Sequence, residues 1–310
     1  MTKRTKHQYR IRNWQQYNKA LIERGSLTLW IDTRSIDTWL DHDTPARPGR
    51  RRRYTDSAIL CALQLREVYH LPLRATQGLV RTILRLMQVE LPSAHYSTLS
   101  RRARSLSLSL SLASSQKRIK HLVIDSSGLK VYGEGEWQMR THGKQKRRTW
   151  RKLHISMDAE THQLTAASIT DKDLLDRNAL AGLLEQTEAE VARVCADGAY
   201  DFEQCYRAIK KKEAVALIPP REDAVVRGKS PFEQRDENVR GIKSQGRKEW
   251  KRESTYHKRS LVETAFFRLK TIFSDRLRSR RTDTQTTEAM VRCVAMNRMT
   301  SLGMPQSYAI

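Results

Sequence analysis

The 310-residue sequence is short of acidic side chains, with 34 Asp and Glu against 58 Lys and Arg, a formal net charge of +24. Such an imbalance attracts polyanions over a Debye length of about 10 Å and makes small neutral metabolites poor substrate candidates. DNA, RNA or an anionic membrane surface is the expected partner. Long apolar runs are missing too. None approaches the roughly 18 residues of a membrane span, and Leu106 to Leu112 is broken by Ser at every second place. No membrane span is expected. The N-terminus has Lys3, Arg4, Lys6 and Arg10 without an apolar segment behind them, so no secretory signal is expected and the cytoplasm is the expected location. Four scattered cysteines, Cys61, Cys195, Cys205 and Cys293, form no C-x-x-C pair, which excludes a disulfide framework and a zinc site of that type. A P-loop is absent: Gly143-Lys144 is followed by Gln145, and Gly228-Lys229-Ser230 has Asp223 where the leading glycine belongs. With 38% hydrophobic residues and only 13 Gly and 8 Pro, the chain can bury a core as one large domain or two ordinary ones.

Three regions follow from texture. Residues 1–54 read as a basic lead-in with scattered aromatic points, running through Pro45 to Gly49 into the block Arg50 to Arg53, either a solvated linker or a phosphate-gripping arm. Residues 55–115 read as helical. Ile59, Leu60, Leu63 and Val68 share one stripe, and Leu79, Val80, Ile83, Leu84 and Met87 share another, with Pro72 and Pro92 as separators. A third short segment opens at Ser97 and carries Arg101, Arg102 and Arg104. Three helices ending in a basic one suggest a helix-turn-helix-like DNA-binding domain, with plain three-helix packing as the alternative. The Leu and Ser alternation at 105–115 is compatible with an edge strand or a linker. Residues 116–310 mix strand-like runs (Leu122 to Asp125, Leu129 to Tyr132, Leu153 to Met157, Leu164 to Ile169, Val191 to Asp197) with helical patterns at Leu174 to Glu190 and from Tyr256 onward. That is the pattern of an α/β domain with a mixed sheet. A polar, basic stretch at 219–255 reads as an insertion or a mobile arm.

Asp125 and Asp197 each end an apolar run and precede small residues, Ser126-Ser127-Gly128 and Gly198-Ala199. That is where α/β sheets present side chains to ligands, although an Asp in such a place is more often a turn or cap residue. Tyr256, Arg259, Glu263 and Lys270, spaced three, four and seven apart, fall within roughly 60° of one another on a helix, with Leu261, Val262, Ala265, Phe266, Leu269, Ile272 and Phe273 opposite, and Tyr256, Arg259 and Lys270 are the expected DNA contacts of that stripe. On its own this stripe is better read as an ordinary wet face with an Arg259 and Glu263 pair. Together, three acids in a very basic chain make sense as ligands of divalent cations at a phosphate site. Hard oxygen donors suit magnesium or manganese, and two ions about 3.5 to 4 Å apart serve an in-line phosphoryl displacement. Lys146, Arg147, Arg148, Arg151 and Lys152, with Trp150 interleaved, make a stretch suited to a nucleic-acid backbone. His142, His154 and His162 lack ligand spacing and take no role. A tyrosine recombinase is disfavoured because Tyr256 precedes His257 and Arg259.

The runs Val123-Ile124-Asp125-Ser126-Ser127-Gly128, Tyr132-Gly133-Glu134-Gly135-Glu136-Trp137, Ala196-Asp197-Gly198-Ala199-Tyr200-Asp201, the Tyr256, Arg259, Glu263, Lys270 signature, and Ala295-Met296-Asn297-Arg298 resemble the DDE transposases of bacterial insertion sequences, in particular the insertion sequence five family. The resemblance spans roughly Leu122 to the end. It implies an RNase H-like catalytic domain in which Asp125, Asp197 and Glu263 are catalytic and hold two magnesium ions, with manganese able to substitute. It implies cleavage at the terminal inverted repeats of double-stranded DNA and transfer of the 3′-hydroxyl ends into target DNA. A homo-oligomer in the synaptic complex and a place on the bacterial nucleoid are expected with it. Two other readings stay open: a transposase-derived DNA-binding regulator that no longer catalyses, and an RNase H-like nuclease.

Overall fold

A computed structural model of the chain describes residues 9–42, 53–110, 118–131 and 150–310. The polypeptide opens with β1 (Tyr9–Ile11), α1 (Trp14–Glu23), α2 (Leu27–Trp30) and α3 (Thr33–Asp37). These elements of the expected lead-in are built into the fold, and the expected linker and arm at 43–52 lie outside the described residues. Trp30 and Trp39 are fully buried, and the Trp39 indole donates to the Pro92 carbonyl at 2.9 Å, so large apolar surface fixes the segment in place.

Helices α4 (Asp56–Val68), α5 (Leu73–Leu86) and α6 (Tyr96–Arg102) follow, as the two apolar stripes require. Thr55 caps α4 by accepting from the Ala58 N–H at 3.2 Å. Between α5 and α6 lies a connection of residues 87–95, longer than the three or four residues of a tight helix-turn-helix. Pro92, which cannot continue a helix, sits inside it.

After β2 (Arg118–Ile119) comes the central sheet, with β3 (Leu122–Val131), β4 (Trp150–Asp158) and β5 (Leu164–Asp171) antiparallel in succession. Then α7 (Leu180–Gln186), β6 (Glu190–Val191), β7 (Arg193–Cys195), α8 (Glu203–Lys211) and β8 (Val215–Leu217) add two strands parallel to β3. The 219–255 stretch is not an unstructured arm but holds α9 (Glu233–Gln245) and α10 (Arg247–Glu253), fastened by buried Phe232, Val239 and Trp250. The chain ends with α11 (Ser260–Phe273), β9 (Arg276–Leu277), α12 (Thr282–Ser301) and β10 (Ser307–Ala309), which pairs antiparallel with β1. Strand order in the sheet is β5-β4-β3-β7-β8, with β9 parallel to the far end of β3.

Alternation along β3 sorts the layers. Leu122 and Ile124 face a core with Leu180, Leu183, Tyr206 and Ile209 of α7 and α8. Val123 and Leu129 face the other way, into a core with Val262, Phe266 and Leu269 of α11, Ala295 of α12, and Leu63 and Leu65 of α4. The helical segment therefore shares its core with one face of the sheet. Buried Glu67 of α4 ties the two together: it accepts from the Arg292 Nε on α12 at 2.9 Å and from the Arg278 Nη2 just after β9 at 2.7 Å. Among the described residues no helix is long and apolar enough to cross a membrane.

Candidate active site

Asp125 and Asp197 are neighbours by register. Parallel pairing matches Val123 with Cys195, so each aspartate stands two residues beyond that pair, Asp125 within β3 and Asp197 just past the end of β7, on neighbouring strands about 4.8 Å apart. Asp125 points to the same face as Val123, the face covered by α11. One of its oxygens accepts from the Ser126 N–H at 2.8 Å. Asp197 caps the short 3-10 turn Gly198–Tyr200, accepting from the Ala199 N–H at 2.9 Å. The commoner cap role is thus realised at Asp197, which orients its carboxylate without consuming its second oxygen.

Glu263 comes from the first turn of α11. Arg259 lies one turn earlier and joins the two elements: its Nη1 donates to Asp125 Oδ2 at 3.1 Å and its Nη2 to Glu263 Oε1. Burial is the largest influence on Asp125 and raises its pKa; Asp197 and Glu263 raise it further, while the Ser126 N–H and the Arg259 guanidinium pull it down. Lys270, two turns beyond Glu263, donates to Ser127 Oγ at 2.7 Å. Asp125 and Ser127 share a face of β3, so α11 is pinned across that face at both ends.

The four-residue signature is split between two elements. Thr255 takes a left-handed conformation, φ 60°, and Tyr256–Arg259 form a 3-10 turn before α11 begins at Ser260. Tyr256 is accordingly buried, its ring 5.6 Å from that of Trp250, and burial pushes its hydroxyl up to about 12. It lies under the site rather than on an exposed stripe.

Three carboxylates with hard oxygen donors fit a divalent cation in kind, and a partly desolvated acid beside two others is a place that demands positive charge. Here Arg259 supplies that charge. Among the described residues no three His, Cys, Asp or Glu side chains converge as a metal cluster.

The expected DNA-contacting cations divide in two. Arg101 and Arg104 are exposed at the end of α6. Arg102 turns inward, donating to the Tyr54 carbonyl at 2.6 Å and pairing with Asp56. Arg151 is held by Gln285, Thr282 and Asp171, and Lys152 by the Leu174 carbonyl and Asp176. Trp150 lies against Gly128, where an added Cβ would come within 3.1 Å of the ring, with the Lys130 ammonium 5.6 Å from its centroid. Lys146, Arg147 and Arg148 lie outside the described residues. His154 is buried, bonding Thr170 Oγ1 at 2.8 Å. Asn297 clamps Leu164 at the start of β5 through both of its backbone groups, a structural use of the tail motif.

Sequence reasoning passed over two residues. Ser127 was grouped only as a small neighbour of Asp125. Phe267 is 70% exposed one turn from both Glu263 and Lys270, and helical spacing alone would have singled it out.

Two family models match the chain, both described as a transposase DDE domain, one over residues 22–134 and the other over 116–298. The second covers more than half of the chain and contains Asp125, Asp197 and Glu263. The chain belongs to the transposase DDE domain family.

Proposed function

We propose that this protein binds the terminal inverted repeats of an insertion sequence in double-stranded DNA, cuts there by metal-dependent hydrolysis, and joins the freed 3′-hydroxyl ends to target DNA by transesterification. The observation that carries this reading is that Asp125 within β3 and Asp197 just past the end of β7 stand level with each other on neighbouring strands, with Glu263 joined to Asp125 through Arg259.

In this reading Asp125, Asp197 and Glu263 hold two divalent ions, magnesium by default and manganese as a substitute. When bound, such ions supply charge neutralisation and polarisation at a scissile phosphate. The chain's own residues do the positioning. The ladder of β3 and the end of β7 fix two carboxylates rigidly, and α11 brings the third across the same face. Arg259 offers a guanidinium fork that matches two phosphate oxygens, and Lys270 offers a point charge about 10.5 Å along the helix axis from Glu263, beyond the cleaved bond. Exposed Arg101 on α6 and Arg104 just after it carry contacts to the element's ends, and Lys146, Arg147 and Arg148 add charge for backbone binding. Juxtaposing two ends requires more than one active site, so a homo-oligomer assembles on the DNA, at the nucleoid.

The experiment begins with the DNA flanking the coding region. Inverted repeats found there are placed in a supercoiled plasmid and incubated with the purified protein and magnesium. Cleavage mapped to the repeat boundaries supports the reading. Nicking distributed along the plasmid without regard to the repeats points to a nuclease, and binding without any cleavage points to a regulator.

A further inference from the structure

The carboxylates of Asp125 and Glu263 do not face each other across empty space: one guanidinium spans them, a nitrogen to each. Arg259 and Asp125 are both mostly buried, with side chains 20% and 19% exposed, whereas Glu263 is 57% exposed. A partly buried acid beside two more is costly without a cation, and Arg259 is the cation the structure provides. An ion shared by the two carboxylates would need an oxygen of each within about 2.0 to 2.6 Å. The guanidinium fills the place between them and repels a second cation.

We propose that Arg259 is a resident counter-cation that divalent metal must displace, so that loading the ions and releasing a phosphate-binding fork are one event. The proposal rests on the reading that these acids bind divalent ions. Its physical content is exclusive occupancy: the guanidinium and the ion compete for the same pair of carboxylates. The displaced side chain is already in position, because it emerges one turn before Glu263 and its nitrogens carry the charge and geometry for phosphate oxygens. Lys270 keeps a separate anchor on Ser127 and need not move. Before metal arrives, the protein has no free guanidinium at this point with which to hold a phosphate; afterwards it has one.

The test uses the full-length protein without DNA and titrates manganese, whose free aquo ion is read by electron paramagnetic resonance, alongside thermal melting. Arg259→Gln should bind manganese about fivefold more tightly or better than wild type, the low end of ordinary coupling between sites. Without metal it should melt below wild type, because two acids have lost their counter-charge. Manganese should restore that loss, while raising the wild-type midpoint only slightly. Arg259→Lys, whose single ammonium cannot span both acids, should fall between the two. Asp125→Asn should abolish the tight site in either background. If Arg259→Gln binds manganese no better than wild type while Asp125→Asn still removes binding, the exchange is wrong and the metal site stands. If neither wild type nor Arg259→Gln binds manganese in a way that depends on Asp125, the metal reading itself fails.

Discussion

Lys270 donates to Ser127 Oγ at 2.7 Å, tying α11 to the strand residue two places beyond Asp125. A cation parked on a neutral hydroxyl exchanges that bond for one to an anionic oxygen when it moves to a phosphate, and a hydrogen bond to a charged group contributes about 1.5 to 3 kcal/mol net. Lys270→Ala is therefore expected to cost no more than about 1.5 to 3 kcal/mol of stability while lowering strand transfer. The slope of log affinity against log salt should shrink by about one unit for pre-cleaved ends. Wild-type slope and transfer rate in that variant would remove Lys270 from the DNA path.

Three arginines close together in sequence should behave differently. Arg101 and Arg104 are exposed, and Arg102 holds the Tyr54 carbonyl and Asp56. Arg101→Ala and Arg104→Ala should each weaken binding to the element's ends and reduce the salt slope by about one, with little change in melting. Arg102→Ala should instead cost about 1 to 3 kcal/mol of stability, since a charged donor and its partners lose each other. Gel shifts and urea melts on the full chain separate the two outcomes, and equal effects on DNA binding from all three would contradict the assignment.

Glu67 is buried among Arg292, Arg278 and Arg66, the first of them 1% exposed. Removing its charge leaves buried Arg292 with Glu288 as a carboxylate partner and takes the shared acid from Arg278 and Arg66, so Glu67→Gln is expected to cost about 3 kcal/mol in a urea melt. A loss below about 1 kcal/mol would show that the network is better hydrated than its burial indicates.

Stability should fall as pH drops below the ordinary histidine range. Burial lowers the pKa of His121, His154 and His162 below 6.5. His121 has Lys258 and Arg193 against its ring nitrogens, Thr255 as a hydrogen-bond partner, and Glu160 and Asp158 nearby. The folded state prefers each ring neutral, so their contribution is fully present above pH 6.5 and is lost as pH falls through the depressed folded values. Each adds at most about 1.4 kcal/mol per pH unit within that window. Urea melts between pH 8 and 5 check this, and stability that stays level below pH 6.5 would contradict it.

Local pattern carried much of the site into view. The apolar run ending in Asp197 does stop there as a strand, whereas β3 continues past Asp125 to Val131, and helical spacing puts Val262, Phe266 and Leu269 on the buried face of α11. What spacing alone does not encode is which cation meets which acid across the fold. Arg102, Arg151 and Lys152 read as free phosphate ligands, but their partners Asp56, Asp171 and Asp176 are brought to them by tertiary packing. The 3-10 turn before α11 was hidden for a related reason: a left-handed Thr255 is a local backbone choice with no glycine to announce it. Trp30 and Trp39 looked like isolated points because their cavities are built by α4 and by the loop around Pro92.

The most direct measurement of the account joins a labelled, pre-cleaved element end to a supercoiled plasmid in magnesium, with wild-type protein and with Asp125→Asn, Asp197→Asn and Glu263→Gln. Each variant should bind the end about as well as wild type, yet joining should fall by about a thousandfold or more, since the three carboxylates act as one unit and losing any member disables it. Near-normal joining by any one variant would contradict the account, because the acid concerned would then be no more than a cap or a surface charge.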